Sequence, residues 1–137
     1  MPFDKKFWIT FVVVFVIAMA TGFVNHGVLL MGDYEALTPE VMRTVEDQEA
    51  KFMFQILAHL LIAFGFSWLY REGHDASKPW VGQGVRFGVA FALAATIPIF
   101  LIYHAVAQFP LELALKQSLF DSIGVVILGL AAAFVNK

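Results

Sequence analysis

Ionisable side chains are sparse in the long apolar runs of this sequence, and four of them could do chemistry together. They are His26, His59, His104 and Asp121. Three imidazoles and a carboxylate form a ligand set suited to zinc or iron. Two of the histidines could instead bind a b-type haem axially, or the cluster could hold a quinone head group through hydrogen bonds. These alternatives stay open at the level of the sequence.

Four further polar residues lie near this set and would surround and orient the ligands. They are Asn25, Gln55, Tyr103 and Gln117. No spacing matches a zincin, a P-loop or a hydrolase motif, so no catalytic residue is predicted. The absence of cysteine excludes thiolate chemistry and iron–sulfur ligation, and the net charge of −2 offers no basic surface for nucleic acid.

The elements that must position these residues are membrane-spanning helices. Of the 137 residues, 60% are hydrophobic and 15% are charged, which is far more apolar than a soluble domain. Four apolar runs, near 7–30, 50–71, 81–108 and 111–135, are long enough to cross a bilayer as helices. The predicted fold is an all-α, four-helix transmembrane bundle that forms a single integral membrane domain over residues 1–137.

Small residues indicate how the helices pack. Gly84 and Gly88 stand in GxxxG spacing at the start of the third run, and with the alanines that follow they predict close contact with another helix. Pro98 should interrupt that helix near its middle, and Arg86 is expected to extend to the membrane interface.

The polar segment between the first two runs, 31–50, is predicted to contain a short interfacial helix. Thr38 would be its N-cap, with Pro39 at the first helical position and Glu40 in the first turn. The acidic charges of this segment form either a solvated face or a docking surface for a basic partner.

The distribution of lysine and arginine predicts the orientation. Six of these residues fall on one side of the membrane: Lys5, Lys6, Arg71, Lys78, Arg86 and Lys137. Three, namely Arg43, Lys51 and Lys116, fall on the other. By the positive-inside rule both termini are cytoplasmic and the acidic segment faces outward. All the candidate polar residues then lie in the outer half of the bundle, where we expect His59 to pair with Asp121 and Lys116 to lie at the rim.

The two hairpins share a pattern that suggests an internal repeat. Asn25-His26 and Tyr103-His104 occupy similar places near the ends of the odd-numbered helices. Gln55 and His59 correspond in the same way to Gln117 and Asp121 in the even-numbered helices. Duplication about an axis along the membrane normal and chance similarity both stay open.

Several short motifs resemble a class of small four-helix bacterial inner-membrane proteins of unknown function. The matching residues are His26-Gly27-Val28-Leu29-Leu30, Tyr34, Arg43, Trp68-Leu69-Tyr70, Tyr103, Gln108-Phe109-Pro110, Gln117, Gly124 and Gly129-Leu130. The resemblance implies four helices and a location in the bacterial cytoplasmic membrane. It implies no activity and no catalytic residue.

Three functions are compatible with these observations. In the first, the polar residues join the helices, and the protein is an accessory or scaffold subunit that binds other membrane subunits or a second copy of itself. In the second, the cluster binds a metal ion, haem or quinone. In the third, a small solute or protons cross the membrane at the level of Asp121 and His59.

Overall fold

The computed structural model describes residues 3–137, which form helices joined by short connections. Four helices are long and apolar enough to cross a membrane. We number them helix 1 (Lys5–Leu29), helix 2 (Phe52–Glu72), helix 3 (Trp80–Val106) and helix 4 (Leu111–Asn136). Two short helices, Met31–Glu35 and Val45–Ala50, lie between helices 1 and 2. The structure therefore confirms the all-α, four-helix fold class.

Helix 4 is at the centre of the packing, because it contacts helix 1, helix 3 and, to a smaller extent, helix 2. Helix 2 packs mainly against helix 1. The buried apolar core joins Val14 and Ala18 of helix 1, Ala63 and Phe66 of helix 2, and Leu128 of helix 4. We call the end of the bundle where helix 1 begins and helix 4 ends the terminal end, and the end that holds residues 30–51 the acidic end.

Glycines bring helices 3 and 4 into backbone contact. A Cβ atom on Gly84 would lie 2.7 Å from the carbonyl oxygen of Gly129, and one on Gly88 would lie 2.6 Å from the Cα atom of Val126. The predicted glycine contact is confirmed, and its partner is helix 4. Of the helix 3 alanines, Ala92 is buried, whereas Ala90, Ala94 and Ala95 are exposed. The close contact therefore does not extend along the whole helix.

Two spanning helices contain a short π-helical segment. In helix 3 it covers Ala92–Thr96, and a new α-helical stretch begins at Ile97 with Pro98 in its first turn. This interruption lies where Pro98 was expected to disturb the helix, because proline has no N–H to donate to the preceding turn. In helix 1 the π segment is Asn25–Leu29, at the acidic end. Nothing in the sequence predicted this second segment.

The short helix before helix 2 begins later than predicted. Thr44, and not Thr38, is its N-cap, because the Thr44 side chain accepts a hydrogen bond from the backbone N–H of Asp47. The Thr38 hydroxyl instead donates to the backbone carbonyl of Tyr34 at 3.0 Å. Since that hydroxyl is engaged with the turn before it, the predicted start at Thr38-Pro39 is wrong. A short helix before the second span is confirmed.

A polar clasp closes the terminal end. The carboxylate of Asp4 accepts two hydrogen bonds from Arg71, both at 2.7 Å, and caps helix 1 through the backbone N–H of Phe7 at 2.9 Å. The amide of Asn136 donates to the hydroxyl of Thr10 at 2.9 Å. These contacts tie the beginning of helix 1 to the ends of helices 2 and 4.

Candidate polar site at the acidic end

Asp121 of helix 4 accepts hydrogen bonds from two consecutive residues of helix 1. The amide of Asn25 donates to its Oδ1 atom at 2.9 Å, and Nε2 of His26 lies 3.0 Å from its Oδ2 atom. Both donors lie in the π segment, whose wider turn changes the direction of the side chains that follow it. Consecutive side chains of a helix diverge, and the two donors accordingly contact different oxygens of the Asp121 carboxylate.

Tyr34 extends the site toward the acidic segment. Its hydroxyl lies 2.5 Å from Nδ1 of His26 and accepts a hydrogen bond from the amide of Gln117 at 3.0 Å. Burial raises the pKa of Tyr34 to about 12, although the hydrogen bond from Gln117 acts in the opposite direction. The hydroxyl therefore keeps its proton at neutral pH and can donate it.

The donors and acceptors of this site form one consistent chain. If Tyr34 donates to Nδ1 of His26, the imidazole is neutral, and its Nε2–H can donate to Asp121. Gln117 then donates to Tyr34, and Asn25 donates to the second oxygen of Asp121. We call these five residues the Asp121 network. Each named side chain has a partner, as a buried polar group requires.

Ion pairs lie beside this network, toward solvent. The ammonium group of Lys116 is 3.0 Å from the carboxylate of Asp33 and 2.9 Å from that of Glu112. Asp33 precedes Tyr34 in the short helix Met31–Glu35, so the pair with Lys116 holds this helix against helix 4. Lys116 is half-buried, which agrees with its expected place at the rim.

Two of the four candidate ligands meet, and the other two do not join them. His26 contacts Asp121, whereas Nδ1 of His59 lies 2.7 Å from the backbone carbonyl of Gln55 in its own helix. His59 faces helix 1 at Gly22, where an added Cβ atom would lie 3.2 Å from its Nε2 atom. The expected pair of His59 with Asp121 is not formed, because Asn25 and His26 contact the two oxygens of that carboxylate.

His104 is also elsewhere, since its Nδ1 atom lies 2.6 Å from the backbone carbonyl of Phe109 in the turn between helices 3 and 4. Within residues 3–137, no three His, Asp or Glu side chains are grouped so that they could hold a metal ion. The four predicted ligands therefore do not form a metal centre in this arrangement. Whether any of these residues binds a cofactor stays a prediction.

The four residues that were expected to surround the site also divide into two groups. Asn25 and Gln117 are buried members of the Asp121 network. Gln55 and Tyr103 are exposed, and the Tyr103 ring packs near Phe109, with 5.9 Å between ring centres. Tyr34 was missed as a member of the site. The available signal was a tyrosine eight residues after His26, close enough for a short turn to fold it back.

The chain belongs to a family described as "Protein of unknown function (DUF1761)", whose profile matches residues 9–133. This family membership agrees with the resemblance to small uncharacterised membrane proteins. Neither a curated protein nor a solved structure gives a significant match to this chain.

Proposed function

We propose that this member of the family is an accessory or scaffold subunit that binds another membrane helix through residues 52–62 of helix 2. These residues form the half of helix 2 nearest the acidic end of the bundle, which we call its acidic half. The observation that carries the proposal is the burial pattern of that helix. None of residues 52–62 is buried, whereas four residues between 63 and 70 are: Ala63, Phe66, Ser67 and Tyr70. The acidic half of helix 2 thus presents a nearly complete helical surface to its surroundings.

Lipid alone would be a poor neighbour for this surface because it carries an amide. The side chain of Gln55 is exposed one turn inside helix 2, and it forms no hydrogen bond with any residue in the described range 3–137. An amide in the hydrocarbon layer is unfavourable unless another polar group forms a hydrogen bond with it. A polar side chain on a helix of another subunit, or of a second copy, would do so.

The Asp121 network supports a structural role for the other polar residues. Its members bond to one another and connect helix 1, the short helix Met31–Glu35 and helix 4. Such hydrogen bonds between membrane helices stabilise by about 0.6–2 kcal/mol each. They would keep helices 1 and 4 in a fixed relative position, while the unburied surface of helix 2 stays available to a partner.

The test is the mass of the protein after extraction from native membranes into polymer-bounded discs without detergent. We expect a complex with a defined second component or a second copy, and we expect Gln55→Leu to shift the protein toward a single chain. Met53→Leu is the matched control, because Met53 is 70% exposed on the same turn and this substitution leaves the polarity unchanged. A single chain in the unmodified protein, or an equal distribution for Gln55→Leu and the parent, would contradict the proposal.

A second candidate function is the binding of a small ligand at His26 and Asp121. The supporting observation is their partial exposure, 37% and 20% of the two side chains, together with the π segment, a feature frequent at functional sites. A quinone head group suits this pair better than a metal or haem, because it needs hydrogen-bonding groups rather than several imidazoles. An absorption spectrum and a metal analysis of the purified protein would distinguish haem, metal and neither. Transport at the level of Asp121 stays a prediction.

A further inference from the structure

A cavity of about 180 Å³ lies at the terminal end, between the end of helix 2 and the beginning of helix 3. Its lining residues are Tyr70, Gly73, Gln83, Arg86, Phe87 and Ala90. They include one cation and no carboxylate. The cavity is far along the bundle from the Asp121 network, and it is separate from the surface proposed for assembly.

The wall of helix 2 holds polar atoms that lack partners. Within the described chain, the buried side-chain atoms without a hydrogen bond are the hydroxyl oxygens of Ser67, Tyr70 and Ser122 and the Nδ1 atom of His74. Of these four residues, Tyr70 is the one that also lines the cavity. Tyr70 is only 2% exposed, and its ring lies 5.8 Å from that of His74. A buried hydroxyl without a partner is costly, so its presence in a residue that lines a cavity indicates a ligand.

The wall of helix 3 supplies the cation. Among residues 3–137, no Asp or Glu side chain forms an ion pair with Arg86. Arg71, at the same end of the bundle, is held by the carboxylate of Asp4, and Lys78 lies 3.0 Å from the carboxylate of Asp75. Arg86 therefore has its guanidinium donors available for an external anion.

Gln83 holds the loop that borders the cavity and does not bond to the Arg86 guanidinium or the Tyr70 hydroxyl. Its amide nitrogen donates to the backbone carbonyls of Asp75 at 2.9 Å and Lys78 at 3.0 Å. Its amide oxygen accepts from the backbone N–H of Asp75 at 2.8 Å. Because these bonds use both amide protons, Gln83 acts as a wall of the cavity rather than as a donor to its contents.

We propose that this cavity binds the phosphate group of a ligand, with the Arg86 guanidinium and the Tyr70 hydroxyl as donors. Arginine presents paired N–H groups that match two phosphate oxygens. Arg86 lies six residues into helix 3, roughly 9 Å along its axis, a depth from which a long basic side chain reaches the head-group layer. Basic pockets between membrane helices bind lipid phosphates in this way. The same donors would accept a free phosphate, so the experiment separates the two sources.

The test measures the melting temperature of the full chain in detergent as a probe is added at constant ionic strength. The probes are dihexanoyl-phosphatidylglycerol, its phosphate-free counterpart dihexanoylglycerol, and sodium orthophosphate. We expect a saturable rise with the phospholipid and none with dihexanoylglycerol, since a ligand that binds only the folded state stabilises it. A rise with orthophosphate as well identifies a site open to free phosphate, whereas a rise with the phospholipid alone identifies a lipid head-group site.

Variants assign the effect to the cavity. Arg86→Gln should weaken phospholipid binding by about tenfold or more, because a charge-assisted bidentate contact is lost. Tyr70→Phe should weaken it by about threefold to tenfold, yet leave the melting temperature without probe unchanged, since the hydroxyl has no partner to lose in the described chain. Lys5→Gln, which removes an exposed cation at the same end, is the matched control and should change binding by less than about twofold.

Three results would overturn the proposal. They are no stabilisation by either phosphate probe, an equal effect of dihexanoylglycerol, and unchanged binding in both Arg86→Gln and Tyr70→Phe. Because Tyr70→Phe keeps the ring and its packing against Phe87, its result does not depend on a variant that fails to fold.

Discussion

Removal of the Tyr34 hydroxyl is the sharpest test of the Asp121 network. Tyr34→Phe keeps the ring but deletes the group that joins His26 to Gln117. The Gln117 side chain, in a residue 7% exposed, would lose the acceptor of its amide, and His26 would lose the donor that faces its Nδ1 atom. One buried donor without a partner costs about 1–3 kcal/mol, and a hydrogen bond between membrane helices contributes about 0.6–2 kcal/mol. We expect the free energy of unfolding to fall by about 1–2 kcal/mol.

The assay is reversible unfolding in mixed detergent micelles, followed by circular dichroism, with ¹⁵N NMR of the labelled histidines as a second readout. The NMR spectrum of the parent at neutral pH should show His26 with its proton on Nε2, and Tyr34→Phe should weaken that preference. Tyr103→Phe is the control, because Tyr103 is exposed near the same end of the bundle and its hydroxyl is outside the network. If both variants lose the same stability, or if His26 carries its proton on Nδ1 in the parent, the proposed chain of donors is wrong.

Two further predictions concern the packing of the helices. Gly88→Ala should lower the free energy of unfolding by about 1–3 kcal/mol, because its Cβ atom would meet the backbone of Val126. Gly82→Ala in the same helix is the control and should be neutral or stabilising, because its Cβ atom would have no neighbour within 4 Å. Equal melting curves of the two variants would contradict the contact. Arg71 lowers the pKa of Asp4 from 3.8 to about 2, so the stability that Asp4 contributes should be complete above about pH 5 and lost as the pH falls toward 2. Melting temperatures of the parent and Asp4→Asn should therefore differ at pH 6 and converge near pH 2, and a constant difference would contradict this assignment.

The spanning helices could be predicted because length and apolarity alone require them. The predicted spans 7–30, 50–71, 81–108 and 111–135 agree closely with the four helices of the structure. The contact through Gly84 and Gly88 could also be predicted, since GxxxG spacing in an apolar helix indicates close packing against another helix. Both features depend on properties of single helices.

Which residues join the Asp121 network could not be predicted from hydropathy, because it depends on how the helices are rotated relative to one another. The sequence placed His26, His59 and Asp121 at one level, but the partner of Asp121 is decided by the rotation of helix 1 about its axis. Both donors from helix 1 lie in the π segment Asn25–Leu29, which no proline or other marker in the sequence indicates. Tyr34 entered the site from a segment expected to lie outside the bundle, so periodicity within the spans could not find it.

The polar clasp at the terminal end and the Asp121 network at the acidic end determine which helices are joined by hydrogen bonds. At the terminal end Asn136 of helix 4 bonds to Thr10 of helix 1, and at the acidic end Asp121 of helix 4 bonds to Asn25 of helix 1. These positions on helix 1 are about four turns apart, or roughly 22 Å along its axis. Helices 1 and 4 are therefore joined at both ends.

Helices 2 and 3 have no such second attachment among the described residues. Helix 2 is buried only from Ala63 toward the terminal end, and helix 3 has no buried residue after Ala92. Near the terminal end their aromatic side chains pack together, with 4.9 Å between the ring centres of Phe66 and Phe87. Because helices 2 and 3 bury fewer side chains in the halves nearest the acidic end, we expect their movement to be larger there, while helices 1 and 4 keep their relative position.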